Sequence, residues 1–299
     1  MSAISITGQT GPPESAPEAT AGERAQPRRA RWYRQPALMA GLVIIGLILM
    51  AVIAAPLLTS YNPDAQNLNA TLSGISAQHW LGTDQLGRDT FSRLLYGGRT
   101  DLQIAFIAVL FPFCLGTILG SIAGYFGGWV DIIIMRLVDI VVAFPFFVLV
   151  IALVFVLGPG ERSIYIAITL IGWVSYARII RGEILVAKRQ EYVLAAQSGG
   201  LSNVRIMGRH LLPNVISQAI IYAMSDIVQD ILAIVTLSYL GLGIQPPAPD
   251  WGTMISDGQN FLTTHWQLTT SPGLAVVVTG LGLSLIGDGL ADLLRPGQS

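Results

Sequence analysis

Two aspartates four residues apart, Asp226 and Asp230, stand in an otherwise uncharged apolar run of the 299-residue chain. At that spacing they share one face of a helix. Carboxylates in such a setting are costly and mark polar paths, ion sites or subunit contacts. Local structural pairing accounts for them equally well. Asp139, with Arg136 beside it, poses the same question in an earlier apolar run. Asp288 and Asp292 lie near the end of the last one, where pairing with Arg295 or capping is the simpler reading.

Other chemistry is hard to find. The single lysine, Lys188, belongs to no Gly-Lys-Ser/Thr phosphate loop. His79, His210 and His265 are far apart and lack metal-ligand spacing, so neither a catalytic residue nor a metal is expected. There is no Gly-x-Ser-x-Gly elbow. The lone cysteine, Cys114, sits within an apolar run and reads as a small packing residue. Uphill transport by this chain would draw its energy from another subunit or from an ion gradient.

The elements that hold these residues are apolar and long. Hydrophobic residues make up 52% of the chain and charged ones 12%, against about 25% charged in an ordinary soluble domain. Residues 37–58 form 22 positions without a charge, enough to cross a hydrocarbon layer of roughly 30 Å. That run is longer than a signal-peptide core and starts late, so it reads as an uncleaved anchor. Further spans are expected at about 102–124, 132–157, 164–180, 215–240 and 272–294. Six helices follow, because backbone polar groups within a bilayer must be satisfied internally. Gly116, Gly120 and Gly124 form a small-residue stripe suited to close helix contact. Pro112 and Pro145 are expected kinks.

Residues 1–30 are rich in proline, serine and glycine and read as a disordered tail ending in a basic cluster, Arg24, Arg28, Arg29, Arg31 and Arg34. Residues 31–100 would hold the first span and an outer segment, in which Arg88 and Asp89 could pair. Residues 101–299 would form the core. With the N-terminus inside, the tail and the segment between spans four and five (Arg178, Arg181, Lys188, Arg189, Arg205, Arg209) both face the cytoplasm. The positive-inside rule favours that arrangement, with both termini cytoplasmic. The outer loop 241–270, with Pro246, Pro247, Pro249, Trp251 and Trp266, reads as an interfacial anchor or a docking surface.

The segment between spans four and five is unusual. It reads EYVLAAQSGGLSNVRIMGRHLLPN over 191–214. Gln190 to Ser198 suit a short helix, which Gly199 and Gly200 end. Ser202 suits the cap of a second short helix to about Leu211, and Pro213 suits the start of span five. This is a polar helix–turn–helix knob on the cytoplasmic face.

Tyr192-Val193-x-Ala195-Ala196, Gly200 and His210-x-Leu212-Pro213-Asn214 resemble the "EAA" loop of permease subunits of ATP-binding-cassette importers. Leu194 stands where the family has Glu, and His210 where it has Ile. The segments LGTDQLGRDTFSRLLYGGRTDL (81–102), AGYFGGWVDIIIMRLVDIVVAFPF (123–146), LSYLGLGIQPPAPDWGTMI (237–255) and LIGDGLADLLRP (285–296) are similar to the C-type permeases of peptide and nickel importers. The resemblance implies an all-α type I importer fold with six transmembrane helices and a cytoplasmic coupling helix within 190–214. It implies a multi-pass protein of the bacterial inner membrane, handling dipeptides or longer peptides. It also implies a homologous B-type permease, cytoplasmic ATPase subunits that bind the ATP and magnesium, and an extracytoplasmic binding protein. The chain itself would hold no cofactor and perform no catalysis, and its other contacts would be with lipid, not nucleic acid. Tyr192, Ala195, Ala196, Gly200, His210, Leu212 and Pro213 would form the ATPase-docking loop. Asp226, Asp230 and Asp139 remain candidates for the pathway or a subunit contact. A proton-coupled secondary transporter using Asp226 and Asp230 is the competing reading, and a structural scaffold a third.

Overall fold

The computed structural model describes residues 35–294, which are almost wholly helical, with an isolated bridge between Thr83 and Asp89. The basic tail and Arg295 lie outside the described residues.

The first helix, α1 (Pro36–Ile53), begins with proline, whose missing N–H costs nothing at a helix start. A single turn, α2 (Ala55–Leu58), follows. Residues 59–89 form an irregular segment holding one 3-10 turn, Leu68–Ala70. Asp89 caps the next helix by accepting from Ser92 N–H at 2.7 Å. That helix, α3 (Thr90–Phe126), runs for 37 residues and continues through Pro112. It starts twelve residues before the expected span at Leu102, because the cap sits in a polar stretch that hydropathy alone does not read as helix.

The expected third span is two helices. α4 (Gly128–Val142) and α5 (Phe146–Leu157) are bent by 88° at Ala143-Phe144-Pro145. Proline cannot donate a helical hydrogen bond and pushes the residue before it out of the α region, so Pro145 breaks the helix rather than kinking it. α6 (Glu161–Ala187) leads to α7 (Glu191–Ser198). α8 (Asn203–Arg205), a π-helical turn (Ile206–Leu211) and α9 (Leu212–Tyr239) then form one continuous rod. The second short helix of the insert is therefore not separate from span five, and Pro213 lies inside the rod. Ser202 occupies the cap position but makes no side-chain cap bond. α10 (Trp251–Gly258) and α11 (Gln267–Leu294) complete the chain. Among the described residues five helices are long and apolar enough to cross a membrane, six with the bent α4–α5 pair taken as one span.

The glycine stripe fixes the main packing. A Cβ on Gly116 would collide with Trp173 O and with Tyr176 Cβ, one on Gly120 would lie 2.9 Å from Ala177 Cα, and one on Gly124 2.9 Å from Ile184 Cβ. Three close approaches in step bring α3 and α6 together as parallel neighbours, the geometry small residues permit between membrane helices. Cys114, on the same helix, faces outward and not into the core. The main core gathers Ile104, Ala105 and Ala108 with Ile164, Ile168, Ile231, Ile234 and Trp251.

Candidate functional site

At one end of the bundle, α7 ends in a paired turn. Leu201 N–H donates to Ala196 O at 3.2 Å and Gly200 N–H to Gln197 O at 3.0 Å, with Gly200 at φ +74°. This is a Schellman arrangement, which satisfies the last helix carbonyls and needs a left-handed residue where Gly200 stands. No atom lies within 4 Å of where its Cβ would be, so backbone conformation and not crowding selects glycine.

The knob is pinned by Val193, Ile206 and Leu211, all buried in one cluster with Ile180, Ile184 and Val215. Sequence reasoning missed these anchors; their apolar character among polar neighbours was the available signal. Of the expected docking residues, Tyr192, Ala195, Gly200 and Pro213 are exposed, while Ala196, His210 and Leu212 are half-buried. Tyr192, Leu194 and Val204 leave apolar surface uncovered. Tyr125 Oη donates to Asn203 Oδ1 at 2.9 Å, tying the knob to α3. The single lysine, Lys188, donates to Gly124 O at 2.8 Å, where a cation suits a helix C-terminus. Beside them an open hollow of about 520 Å³ is lined by Tyr125, Phe126, Lys188, Arg189, Leu194 and Gln197. Where the π turn meets Pro213, Asn214 Nδ2 donates to His210 O at 2.6 Å.

The intramembrane aspartates do not form one site. Asp226 and Asp230 are buried in the bundle. Asp226 accepts from Tyr176 Oη at 2.7 Å, and the Tyr176 ring meets Tyr222 edge-on at 5.0 Å. Asp230 Oδ2 is buried without a partner among the described residues. Asp139 stands apart on the exposed side of α4, where its charged neighbour is Arg136 at 3.8 Å. Lower on α4, Asp131 is gripped by Arg181 through two bonds of 2.5 and 2.6 Å.

The end of the bundle away from the knob is a polar lock. Arg88 pairs with Asp84 at 2.6 Å and with Asp257 at 3.3 Å, and not with the expected Asp89. Asp89 is occupied by its capping bonds and by His79 Nδ1 at 2.8 Å. Arg93 donates to Pro63 O and Pro247 O, so segments 184 residues apart in sequence converge on one helix end. Trp251 is buried, donating to Leu94 O at 3.0 Å, so it is a core residue and no interfacial anchor. Trp266 is exposed. Asp101 Oδ2 accepts from Trp251 N–H at 2.9 Å. Asp250 caps α10; burial pushes its carboxyl above the usual range, against the opposing bonds from Thr253.

A bundle of membrane-length helices, closed at one end by a polar lock and carrying at the other a rigid knob with uncovered apolar side chains, is the build of a polytopic transport subunit. Residues 116–299 match the family model for binding-protein-dependent transport system inner membrane components. Residues 28–74 match the N-terminal transmembrane domain of oligopeptide transport permease C. The dipeptide transport system permease protein DppC of Alkalihalophilus pseudofirmus is 41% identical over 256 residues, covering 86% of this chain and 84% of that one. The oligopeptide transport system permease protein OppC of Bacillus subtilis is 41% identical over 259 residues, covering 86% and 85%. The glutathione transport system permease protein GsiD of Pectobacterium atrosepticum is 38% identical over 267 residues, covering 89% of each. Among solved structures, the inward-facing MetNI methionine ABC transporter superposes with a TM-score of 0.54 at 16% identity, over 68% of this chain and 96% of that one, which shows a shared fold. The chain belongs to the binding-protein-dependent transport system inner membrane component family, as a multi-pass permease of the bacterial inner membrane.

Proposed function

We propose that this chain is the C-type permease of an ATP-driven importer of peptides, and that the knob 190–214 is where an ATPase subunit grips it. The observation that carries this reading is the division of labour in the knob. Val193, Ile206 and Leu211 fasten it to α6 and α9, while Tyr192, Leu194 and Val204 face outward. A rigid lever with an apolar tip transmits force, and a flexible loop would not. The names of the relatives point to dipeptides, oligopeptides and glutathione as the substrate class.

The remaining parts lie in other chains. A homologous B-type permease completes the channel, two ATPase subunits or halves bind ATP and magnesium, and an extracytoplasmic protein delivers the peptide. The chain itself performs no hydrolysis. The knob end is cytoplasmic: Arg178, Arg181, Lys188, Arg189, Arg205 and Arg209 lie there, six basic residues against the four toward the other end, Arg88, Arg93, Arg99 and Arg162. ATP-driven closure of the ATPase pair moves the knob and shifts the bundle between two states.

The test is purification of the tagged chain in mild detergent, wild type beside Gly200→Asp, with an ATPase assay on the eluate and peptide uptake in vesicles. The wild type should bring down a second permease and an ATPase. The variant should insert but lose the ATPase or uncouple hydrolysis from uptake. Normal uptake by Gly200→Asp would overturn the docking assignment.

A further inference from the structure

We infer that the hollow between the end of α1 and the start of α3 is a headgroup site for a phospholipid bearing both a phosphate and a primary ammonium, of the phosphatidylethanolamine kind. The inference needs only a chain that spans a membrane, so it stands apart from the peptide-importer reading. The hollow lies beside the polar lock, at the end away from the knob. Its volume is about 830 Å³, within the roughly 300–1,000 Å³ of ligand sites. Its walls come from the chain just after α1, from Tyr96, Arg99 and Gln103 on α3, and from Pro249.

The charge pattern of two neighbouring helices gives its depth. No charge occurs from Gln35 to Pro63, and Asp64 is the first charged residue after α1. In α3 the order is reversed: Arg99 and Asp101 are the last charges before an uncharged stretch from Leu102 to Val130. The hollow touches both changeovers, Asp64 on one side and Arg99 on the other. It therefore stands where hydrocarbon gives way to headgroups. Tyr61 and Tyr96 in its wall are of the type that this boundary favours.

The charges match a zwitterion. Arg88 and Arg93 spend theirs on Asp84, Asp257 and Asp64. Arg99 is exposed and has no carboxylate within 4 Å among the described residues. Its guanidinium fork suits phosphate oxygens. Asp64 leans on Arg93 at 3.9 Å, beyond hydrogen-bond reach, and its side chain stays 40% exposed. Its Oδ1 is buried, which leaves Oδ2 to accept from an ammonium. A purely anionic headgroup would meet Asp64 as a like charge. A choline headgroup has no N–H to donate to it.

The surface beneath the hollow fits the rest of a lipid. Arg99, Gln103, Phe106 and Leu110 follow one another at three or four residues, so they share a face of α3. All four are exposed. Ile53 and Leu57 of the α1 side are exposed at the same boundary. A polar hollow opening onto an apolar strip takes a headgroup above and an acyl chain along Phe106 and Leu110.

The test uses the full chain with whatever subunits it retains in mild detergent. The sample is delipidated and titrated with phosphatidylethanolamine, phosphatidylglycerol or phosphatidylcholine of matched chains, and native mass spectrometry counts bound lipid. Arg99→Gln and Asp64→Asn probe the hollow; Arg162→Gln, at an exposed arginine outside it, is the control. Wild type and Arg162→Gln should bind phosphatidylethanolamine at least fivefold more tightly than either other lipid. Arg99→Gln should lose that advantage over phosphatidylcholine, and Asp64→Asn should lose it over phosphatidylglycerol. If Arg99→Gln does not fold, the Asp64→Asn ratio alone decides. Equal binding of the three lipids by wild type overturns the inference, as does a preference kept in both hollow variants. Release of another subunit by Arg99→Gln with lipid preference kept assigns the hollow to a protein contact and overturns it too. An ATPase assay on the same wild-type sample reads the importer assignment separately from the lipid counts.

Discussion

Tyr176 on α6 donates to Asp226 on α9 at 2.7 Å, and both side chains are buried. The bond spans 50 residues of sequence and joins the helix that carries the glycine contact to the helix that carries the knob. A motion of the knob along α9 therefore reaches α6 through a polar link as well as through packing. Tyr176→Phe should leave Asp226 without this donor and destabilise the complex by about 1–3 kcal/mol. A melting curve of the purified complex in detergent reads the loss, and Asp226→Asn, which keeps an acceptor, should cost less. Equal melting of Tyr176→Phe and wild type would show that the bond carries no stability.

The stripe on α3 makes a steric prediction. Gly120→Leu puts a side chain where Ala177 backbone already stands. The helices must separate, and overpacking of this kind costs about 1–3 kcal/mol or more. Folded yield after membrane extraction should fall sharply. Gly46→Leu, where no atom lies within 4 Å of the added Cβ, is the matched control and should be tolerated.

At the end away from the knob, Arg88 is buried between Asp84 and Asp257. Arg88→Met removes the nearer cation from Asp84, which keeps the Leu86 and Arg88 N–H donors and Arg93 Nε at 3.8 Å, a loss of about 1–3 kcal/mol. Protease resistance of the outer segment 59–89 in intact cells measures it. Arg99→Met, at an exposed position on α3, should change little.

The Asp250 carboxyl is raised chiefly by burial. Its folded form therefore holds a proton that the unfolded chain, with a carboxylate pKa of about 3.9, releases earlier. The sign follows: this group's contribution is full below that value and is lost as pH climbs through the folded value. Asp250→Asn keeps an N-cap acceptor for α10 and removes the titration. Between pH 4 and 7 the melting temperature of the wild type should fall relative to that of Asp250→Asn. Parallel curves would contradict it.

Much of this molecule is written locally. Five of the spans among the described residues fall where long apolar runs occur, since a helix across a bilayer needs little more than length and apolar side chains. The turn at Gly200 is equally local, because one left-handed residue after a short helix is a property of a few neighbours. The knob's position between two apolar runs follows from order along the chain.

What sequence alone did not decide are the matters of facing. Arg88 chose Asp257, 169 residues away, over its neighbour Asp89, which the α3 cap had claimed. Trp251 looked like an interfacial residue and is core, because α3 offers it a carbonyl at Leu94. Cys114 looked inward and faces out, α4 and α5 part at Pro145, and the insert's second helix fuses with α9. Hydropathy is a property of each residue, whereas burial and pairing depend on which helix arrives beside it. Asp226 and Asp139 carry the same side chain in similar apolar runs, and only packing set one against a tyrosine in the bundle and the other on its open face.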